Sequence, residues 1–278
     1  MKKWMLLLFV ALSVLVSACG NSKTAPAAAD GAASSPPDAS AQTTLDQIKK
    51  RGKLIIGTSG NYRPLTYMDE QGKLTGFDID WGNALAKELG VTAEFVPGNV
   101  SGLLAGLNAG KFDIVMSGLL MTEERKKAID FSSVYYKDGV VALAKKDNKA
   151  VTGITHLQGL TVGVIGGAAQ HSDLLEIGGY KELKEYPGNA EGFADLKNGR
   201  IQLYALGKIA ANDFIKNDKD GSQYAAVGDM YKLRDAGIGI RKNDSALKKA
   251  IDDIIEKKQK DGSYNELAVK WFGFAVPN

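Results

Sequence analysis

Residues 113–132 read DIVMSGLLMTEERKKAIDFS. The apolar run at 113–116 follows a Gly-Lys turn and is typical of an interior strand. Thr122 precedes two glutamates, and this pattern predicts a helix that begins there with the threonine side chain as its N-cap. The backbone N–H groups of residues 117–120 would then lie at the carboxyl end of a strand, where open α/β sheets bind ligands. Arg125 lies one turn further on and can hold a carboxylate with two parallel hydrogen bonds.

Arg125 admits a second interpretation, as part of a solvated helix face made by EERKK at residues 123–127. Residues further upstream favour the ligand-binding interpretation. The sequence GTSGNYRPLTY occupies residues 57–67, and GFDID at 76–80 leads into an amphipathic helix that ends near Leu89.

Together with residues 117–132, these segments resemble the bacterial extracellular solute-binding proteins of family 3, which feed polar amino acids to ABC transporters. The resemblance continues through LTVGVIGG at 160–167, GIGIRKND at 237–244 and the C-terminal segment 261–272. It implies a periplasmic-binding-protein-like clamshell, in which two α/β lobes are joined by a two-stranded hinge. A polar amino acid or related small carboxylate would lie between the lobes, and the expected partner is the permease of an ABC importer.

The N-terminal residues predict the compartment independently of that resemblance. Lys2 and Lys3 are followed by an apolar segment at 4–16, which is shorter than the roughly 20 residues that a membrane-spanning helix needs. VSAC at 16–19 looks like a lipobox, so we expect a signal peptide at residues 1–18. The alternative is an ordinary signal peptide with a cysteine nearby.

Cys19 is the only cysteine of the 278-residue chain, which excludes an intramolecular disulfide. The lipobox predicts a lipidated Cys19, whose acyl chains, palmitate among them, anchor the protein to a membrane. The expected location is therefore extracytoplasmic, in the periplasm or on the outer face of the cell membrane.

Composition and pattern predict the organisation of the remaining chain. Residues 19–42 are rich in Ala, Ser and Pro and are expected to form a disordered tether. Two β-α-β-α-β patterns follow, and they predict two α/β lobes. Lobe 1 is expected to contain residues 43–139 and 237–278, and lobe 2 residues 140–236. A hydrophobic content of 44% and a net charge of +3 are those of a soluble globular protein, without a basic patch for nucleic acid.

The resemblance also implies which residues contact the ligand. Arg125 would hold a carboxylate together with the amides of Gly118 and Leu120, and the ring of Tyr62 would stack on the ligand unless it only packs on Pro64. The glycine-rich turn at 165–170 would supply N–H groups at a helix N-terminus. The alternative is that this turn connects a strand to a helix and binds no ligand. The complete predicted set is Ser59, Tyr62, Ser117, Gly118, Leu120, Arg125, Gly167, Ala168, Ala169, Gln170 and Gly207.

Several positions depart from the family pattern. Gly207 stands where typical relatives carry the acidic residue that holds the ligand's ammonium group, and Ser59 replaces another acidic residue. Leu120 and Ala169 stand where hydroxyl side chains usually donate to the carboxylate. The carboxylate clamp is thus retained and the ammonium clamp is not, so the ligand need not be a standard α-amino acid unless another acid, such as Asp213 or Asp229, replaces the missing one.

Two other classes of function remain as alternatives. GTSGNYRP at 57–64 is similar to a segment of the cyclohexadienyl dehydratases, enzymes of the same fold, but Ala210 matches the position of their catalytic acid, so we expect no enzymatic activity. A ligand-sensing module for a membrane partner is the other alternative. His156 and His171 are the only histidines and predict neither a metal site nor a cofactor. We expect a monomer.

Overall fold

The computed structural model describes residues 42–275 of the chain. The predicted signal peptide, Cys19 and nearly all of the predicted tether lie outside the described residues. Within them, no helix combines the length and the apolar character that crossing a membrane requires.

Two five-stranded sheets organise the structure. The first has the order Thr92–Pro97 (β5), Lys53–Thr58 (β1), Ile114–Val115 (β6), Gly239–Ile240 (β13) and Asp130–Phe131 (β7). The second has the order Glu182–Tyr186 (β10), Thr161–Ile165 (β9), Leu203–Gly207 (β11), Tyr136–Lys145 (β8) and Tyr224–Ala236 (β12). A small antiparallel sheet contains Asn61–Tyr62 (β2), Thr66–Met68 (β3) and Leu74–Thr75 (β4).

Each large sheet has a parallel centre with antiparallel neighbours. In the first sheet β1 pairs in parallel with β5 and β6, whereas β13 is antiparallel to β6 and β7. In the second sheet β9 pairs in parallel with β10 and β11, whereas β8 is antiparallel to β11 and β12. Ligand sites in such sheets lie beyond the carboxyl ends of the parallel strands.

Helices pack on the faces of both sheets. They are Thr44–Arg51 (α1), Phe77–Glu88 (α2), Val100–Asn108 (α3), Glu123–Ala128 (α4), Ala169–Ile177 (α5), Asn189–Lys197 (α6), Lys208–Asn217 (α7), Ser245–Lys260 (α8) and Ser263–Phe272 (α9). The predicted start of α4 is confirmed, because the side chain of Thr122 accepts a hydrogen bond from the backbone N–H of Arg125 at 3.2 Å.

The chain passes between the sheets twice. It leaves the first sheet after β7 and enters the second through β8, and it returns from β12 into β13. Strands β8 and β12 pair with each other. The predicted fold of two α/β lobes is confirmed. Lobe 1 is the part that is built on the first sheet, and lobe 2 is the part that is built on the second. The lobe limits at 139/140 and 236/237 stay predictions.

Both lobes have apolar cores. In lobe 1, Trp81 is fully buried, and the ring of Phe77 stacks on that of Tyr135 with centroids 6.0 Å apart. In lobe 2, alternate residues of β8 enter the cores on opposite faces of the sheet: Val140 on one and Val141 on the other. This alternation is the period of a strand that is covered on both sides.

Candidate ligand-binding cleft

A narrow cleft with a cavity volume of about 30 Å³ lies between the lobes. Eight of the predicted ligand contacts line it together with apolar side chains from both lobes. The lining residues are Tyr62, Val100, Leu103, Ser117, Gly118, Leu119, Leu120, Arg125, Ile165, Ala168, Ala169, Gln170, Ala205 and Leu206. The other three predicted contacts, Ser59, Gly167 and Gly207, do not line the cleft but lie close behind it. This combination of an apolar wall and a few polar groups is typical of small-molecule sites.

Arg125 supplies the positive charge of the cleft. Its Nη1 donates to the carbonyl oxygen of Leu120 at 2.8 Å, and its Nη2 donates to that of Gly167 at 3.1 Å. No carboxylate of the described residues forms an ion pair with it. Burial therefore lowers the pKa of the guanidinium to about 10, and the group remains cationic at neutral pH. An anion that entered the cleft would meet an uncompensated charge.

Gly118 shapes the turn after β6. Its φ of +61° favours glycine, and a Cβ there would lie 2.7 Å from Cδ1 of Leu65. Its backbone N–H donates to Oδ2 of Asp78 at 2.7 Å, and Tyr135 donates its hydroxyl to Oδ1 of the same carboxylate. The Gly118 amide thus already has an acceptor in this structure, and its donation to a ligand stays a prediction.

Ser117 and Ser59 support the same turn. The hydroxyl of Ser117 accepts a hydrogen bond from the backbone N–H of Ser59 at 3.0 Å, which ties the end of β1 to the turn after β6. The hydroxyl of Ser59 is buried without a hydrogen-bond partner among the described residues. Ser59 thus positions the lobe-1 wall and does not touch the cleft.

Tyr62 connects the two lobes. Its ring packs against the core of lobe 1 and also against that of lobe 2. A Cβ on Gly118 would lie 3.0 Å from its ring, and a Cβ on Gly207 would lie 2.8 Å from its hydroxyl oxygen. Burial and the nearby charge of Asp138 raise the pKa of this phenol, so the hydroxyl stays protonated and can donate.

The turn between β9 and α5 forms the lobe-2 wall. Gly167 has a φ of +76°, and a Cβ there would lie 3.0 Å from Ser101 of lobe 1. Ala168 is the N-cap residue of α5, and its side chain cannot accept a hydrogen bond from the first backbone N–H groups of the helix. Because Ala168 lines the cleft, the cleft is next to a helix N-terminus, which favours anions. His171 follows in the first turn of α5, where its Nδ1 faces the N–H of Gly167 at 3.4 Å.

Neither of the acids proposed to replace the missing one faces the cleft. Asp213 forms an ion pair with Arg63 at 2.7 Å, and Asp229 is exposed on β12. The acid that does lie beside Gly207 is Asp138 of β8: a Cβ on Gly207 would be 2.2 Å from its Oδ2. Sequence reasoning missed Asp138, although an aspartate inside the apolar run YYKDGVVALA was a signal.

Among residues 42–275, no group of three or more His, Cys, Asp or Glu side chains could hold a metal ion.

Comparisons with known proteins agree with this architecture. The model of the bacterial extracellular solute-binding proteins, family 3, matches residues 54–274. The chain belongs to this family. The L-cystine-binding protein TcyJ of Escherichia coli K12 is 35% identical over 233 residues, which cover 84% of this chain and 87% of TcyJ.

Solved structures of solute-binding proteins share the fold. The ancestral amino acid-binding protein AncCDT-1, a precursor of cyclohexadienyl dehydratase, superposes with a TM-score of 0.78 at 37% identity, covering 83% of this chain and all of that one. A substrate-binding protein of an ABC uptake transporter from Streptococcus pneumoniae, with bound histidine, has a TM-score of 0.78 at 27% identity, covering 84% of this chain and 97% of that one.

Proposed function

We propose that this chain is the substrate-binding component of an ABC importer, which captures a polar amino acid or related small carboxylate between its lobes and delivers it to a permease. The observation that carries the proposal is the guanidinium of Arg125, which enters the cleft, donates to one carbonyl of each lobe and has no carboxylate partner there. Membership in the solute-binding family supports it, and so do TcyJ, which is named for L-cystine, and the Streptococcus pneumoniae protein with bound histidine.

The proposed binding step uses the two hydrogen bonds of Arg125. A ligand carboxylate would accept from the guanidinium in place of a carbonyl oxygen, because a charged acceptor forms the stronger hydrogen bond. The N-terminus of α5 would add its favourable dipole. Since Arg125 belongs to lobe 1 and this helix to lobe 2, a bound carboxylate would hold the lobes together, and release would require them to separate by a hinge motion.

We also propose the location of the protein. The predicted signal peptide at 1–18, the lipidated Cys19 and the tether at 19–42 would hold the two lobes outside the cytoplasm on a membrane surface. The family consists of extracellular proteins by its name, which supports an extracytoplasmic location. The lipid anchor rests on the lipobox alone.

A role as an enzyme has less support. Ala210, at the position of the dehydratase acid, is buried in α7 and carries no group that can transfer a proton. The relatives cited above are named as binding proteins, although AncCDT-1 is the precursor of an enzyme. We therefore propose binding without turnover.

A thermal-shift screen tests the proposed function. The protein starting at residue 43 would be melted with each of the twenty L-amino acids, L-cystine and simple organic acids. A ligand at a hundredfold excess over its Kd stabilises the native state by about 2.7 kcal/mol, which raises the melting temperature measurably. If no carboxylate in this panel raised it, the proposal would be wrong.

A further inference from the structure

Asp138 is a buried carboxylate at the point where β8 passes from lobe 1 to lobe 2. Only 4% of its surface is exposed. The apolar residues 140–144 of the same strand are also buried, so the aspartate is a charged group at the edge of an apolar core. Groups of this kind are rarely buried unless something pairs with them.

Backbone N–H groups are the partners that the protein provides. Oδ1 of Asp138 accepts from the N–H of Gly139 at 2.9 Å and from that of Ile209 at 3.4 Å. No lysine, arginine or histidine within residues 42–275 forms an ion pair with the carboxylate. Lys208 is the nearby cation, and it lowers the pKa less than burial raises it; the resulting pKa is about 7.

Oδ2 of Asp138 lies beside Gly207 at the end of β11, although Asp138 itself does not line the cleft. The antiparallel pairing of β8 with β11 sets Gly207 opposite Val140, and Oδ2 would be 2.2 Å from a Cβ at Gly207. The hydroxyl oxygen of Tyr62, a residue that lines the cleft, would be 2.8 Å from the same Cβ. Asp138 therefore lies directly behind the Tyr62 hydroxyl, and the absence of a side chain at Gly207 makes the space for it.

Within the described residues, the cleft thus has a half-buried cation without a carboxylate at Arg125 and, beyond Tyr62, a buried carboxylate without a cation. We propose that Asp138 binds the ammonium group of the ligand, so that the cleft selects a compound that carries both an ammonium and a carboxylate. This inference rests on the proposed function and adds a specificity-determining residue to it. Binding in this way requires the Tyr62 ring to turn, so that the ammonium reaches Oδ2. Charge complementarity at both ends then favours such a compound over a simple carboxylate, which gains no interaction at Asp138.

Asp138 has a structural role that must be separated from binding. Gly207 is the N-cap residue of α7 and has no side chain, so Oδ1 of Asp138 acts as the cap when it accepts from Ile209. Asparagine retains one acceptor oxygen of the same reach for the cap, while its NH2 group replaces the second oxygen and the negative charge is lost. Asp138→Asn is therefore the informative variant, and Asp229→Asn, which removes an exposed negative charge from β12, is its matched control.

Isothermal titration calorimetry tests the inference. The probes are the twenty L-amino acids and L-cystine, followed by the carboxylic acid that corresponds to the tightest of them without its α-ammonium group. We expect Asp138→Asn to weaken binding of the amino acid by about 100-fold, since one partner of a buried charge pair is lost. Binding of the ammonium-free acid should change by less than about threefold, and Asp229→Asn should match the wild type for both probes.

Four results would overturn the inference. An unchanged Kd of the amino acid in Asp138→Asn would refute it while leaving the proposed function intact, provided that Arg125→Ala abolishes binding. An equal loss for both probes would assign Asp138 a structural role only. A wild-type protein that binds ammonium-free carboxylates and none of the amino acids would refute the inference alone, whereas one that binds no carboxylate at all would refute the proposed function as well.

Discussion

Arg125 bridges the cleft to Gly167: its Nη2 donates to the carbonyl oxygen of that residue at 3.1 Å. Because Nη1 donates to Leu120 of lobe 1 at 2.8 Å, one guanidinium contacts both lobes without the help of a ligand. The two carbonyl oxygens are neutral acceptors, so the charge of the guanidinium is not balanced. A carboxylate that replaced one of them would gain a charge-assisted hydrogen bond.

Substitution of Arg125 should remove binding without unfolding the protein. We expect Arg125→Ala to weaken carboxylate binding by at least about 100-fold, because a buried charged partner is lost. The melting temperature of the ligand-free protein should change little, since the guanidinium forms no ion pair there. Calorimetry and thermal melting measure the two quantities. Lys127→Ala, an exposed change on the same helix, is the control, and comparable affinities of the two variants would contradict the assignment.

Gly118 should tolerate no side chain. Its φ of +61° and the 2.7 Å approach of a Cβ to Leu65 predict that Gly118→Ala lowers the free energy of unfolding by about 2 kcal/mol. Gly102→Ala is the matched control, because a Cβ there meets nothing within 4 Å, and in the first turn of α3 it should stabilise by up to about 0.5 kcal/mol. Urea denaturation of both variants distinguishes them. Equal effects would mean that the turn can relax around a side chain.

Sequence patterns predicted the elements that have a strong local signature. Strand Thr161–Ile165 lies within LTVGVIGG at 160–167, where a continuous apolar run is typical of a strand that is buried on both faces. Strand Tyr224–Ala236 was missed. It lies at the edge of its sheet and pairs only with β8, and most of its residues are half-buried or exposed, so neither an apolar run nor a clean alternation marks it.

The site also has parts with a local sequence signature and parts without one. The turn that leads to Arg125 is contiguous in sequence, and the capping preference of Thr122 made it predictable. The proximity of Asp138 to Gly207 was not predictable from the sequence, because it depends on the register of two distant strands, in which Gly207 pairs with Val140. The glycine at 207, where relatives carry an acid, and the buried acid at 138 can be connected only when the pairing of β11 with β8 is known.

The lipid anchor predicts the behaviour of the full chain. Cys19→Ala should leave the protein outside the cytoplasm but release it from the membrane, because acyl chains at this cysteine would provide the anchor. Membrane fractionation of cells that express each form, followed by immunoblotting, measures the distribution. Cells labelled with palmitate should mark the wild type and not the variant. Membrane association of an unlabelled Cys19→Ala protein would show that something other than Cys19 anchors it.

Asp138 should make stability depend on pH. Burial raises the pKa of Asp138 and of Asp78 to about 7, above the ordinary value near 4. The folded state therefore holds more protons than the unfolded chain between about pH 4 and pH 7, and the free energy of unfolding should fall as pH rises through this window. Lys208, Tyr62 and Tyr136 are the titratable groups that face Asp138, and burial raises the pKa of both phenols, so they stay protonated throughout this window.

The contribution of Asp138 is isolated by comparison with Asp138→Asn. Between pH 5 and pH 8, the free energy of unfolding of the ligand-free wild type should fall more than that of the variant, by about 2 kcal/mol. Denaturant titrations at both pH values measure it, with Asp229→Asn as the exposed control. Parallel profiles of wild type and Asp138→Asn would mean that the carboxylate is better solvated than its burial indicates.

A carboxylate at position 207 should be compatible with the fold only when Asp138 is absent. The φ of Gly207 is −66°, so its backbone accepts any residue, and the obstacle is the 2.2 Å distance from a new Cβ to Oδ2 of Asp138. Gly207→Asp alone would also bring two buried carboxylates together, and at pH 8 we expect it to lower the free energy of unfolding by roughly 3 kcal/mol. Asp138→Ser/Gly207→Asp removes the obstacle and the repulsion and should recover most of that loss, because the new aspartate can cap α7 itself. Denaturant titration of both variants decides the matter: a double variant no more stable than Gly207→Asp would show that the two positions do not share one space.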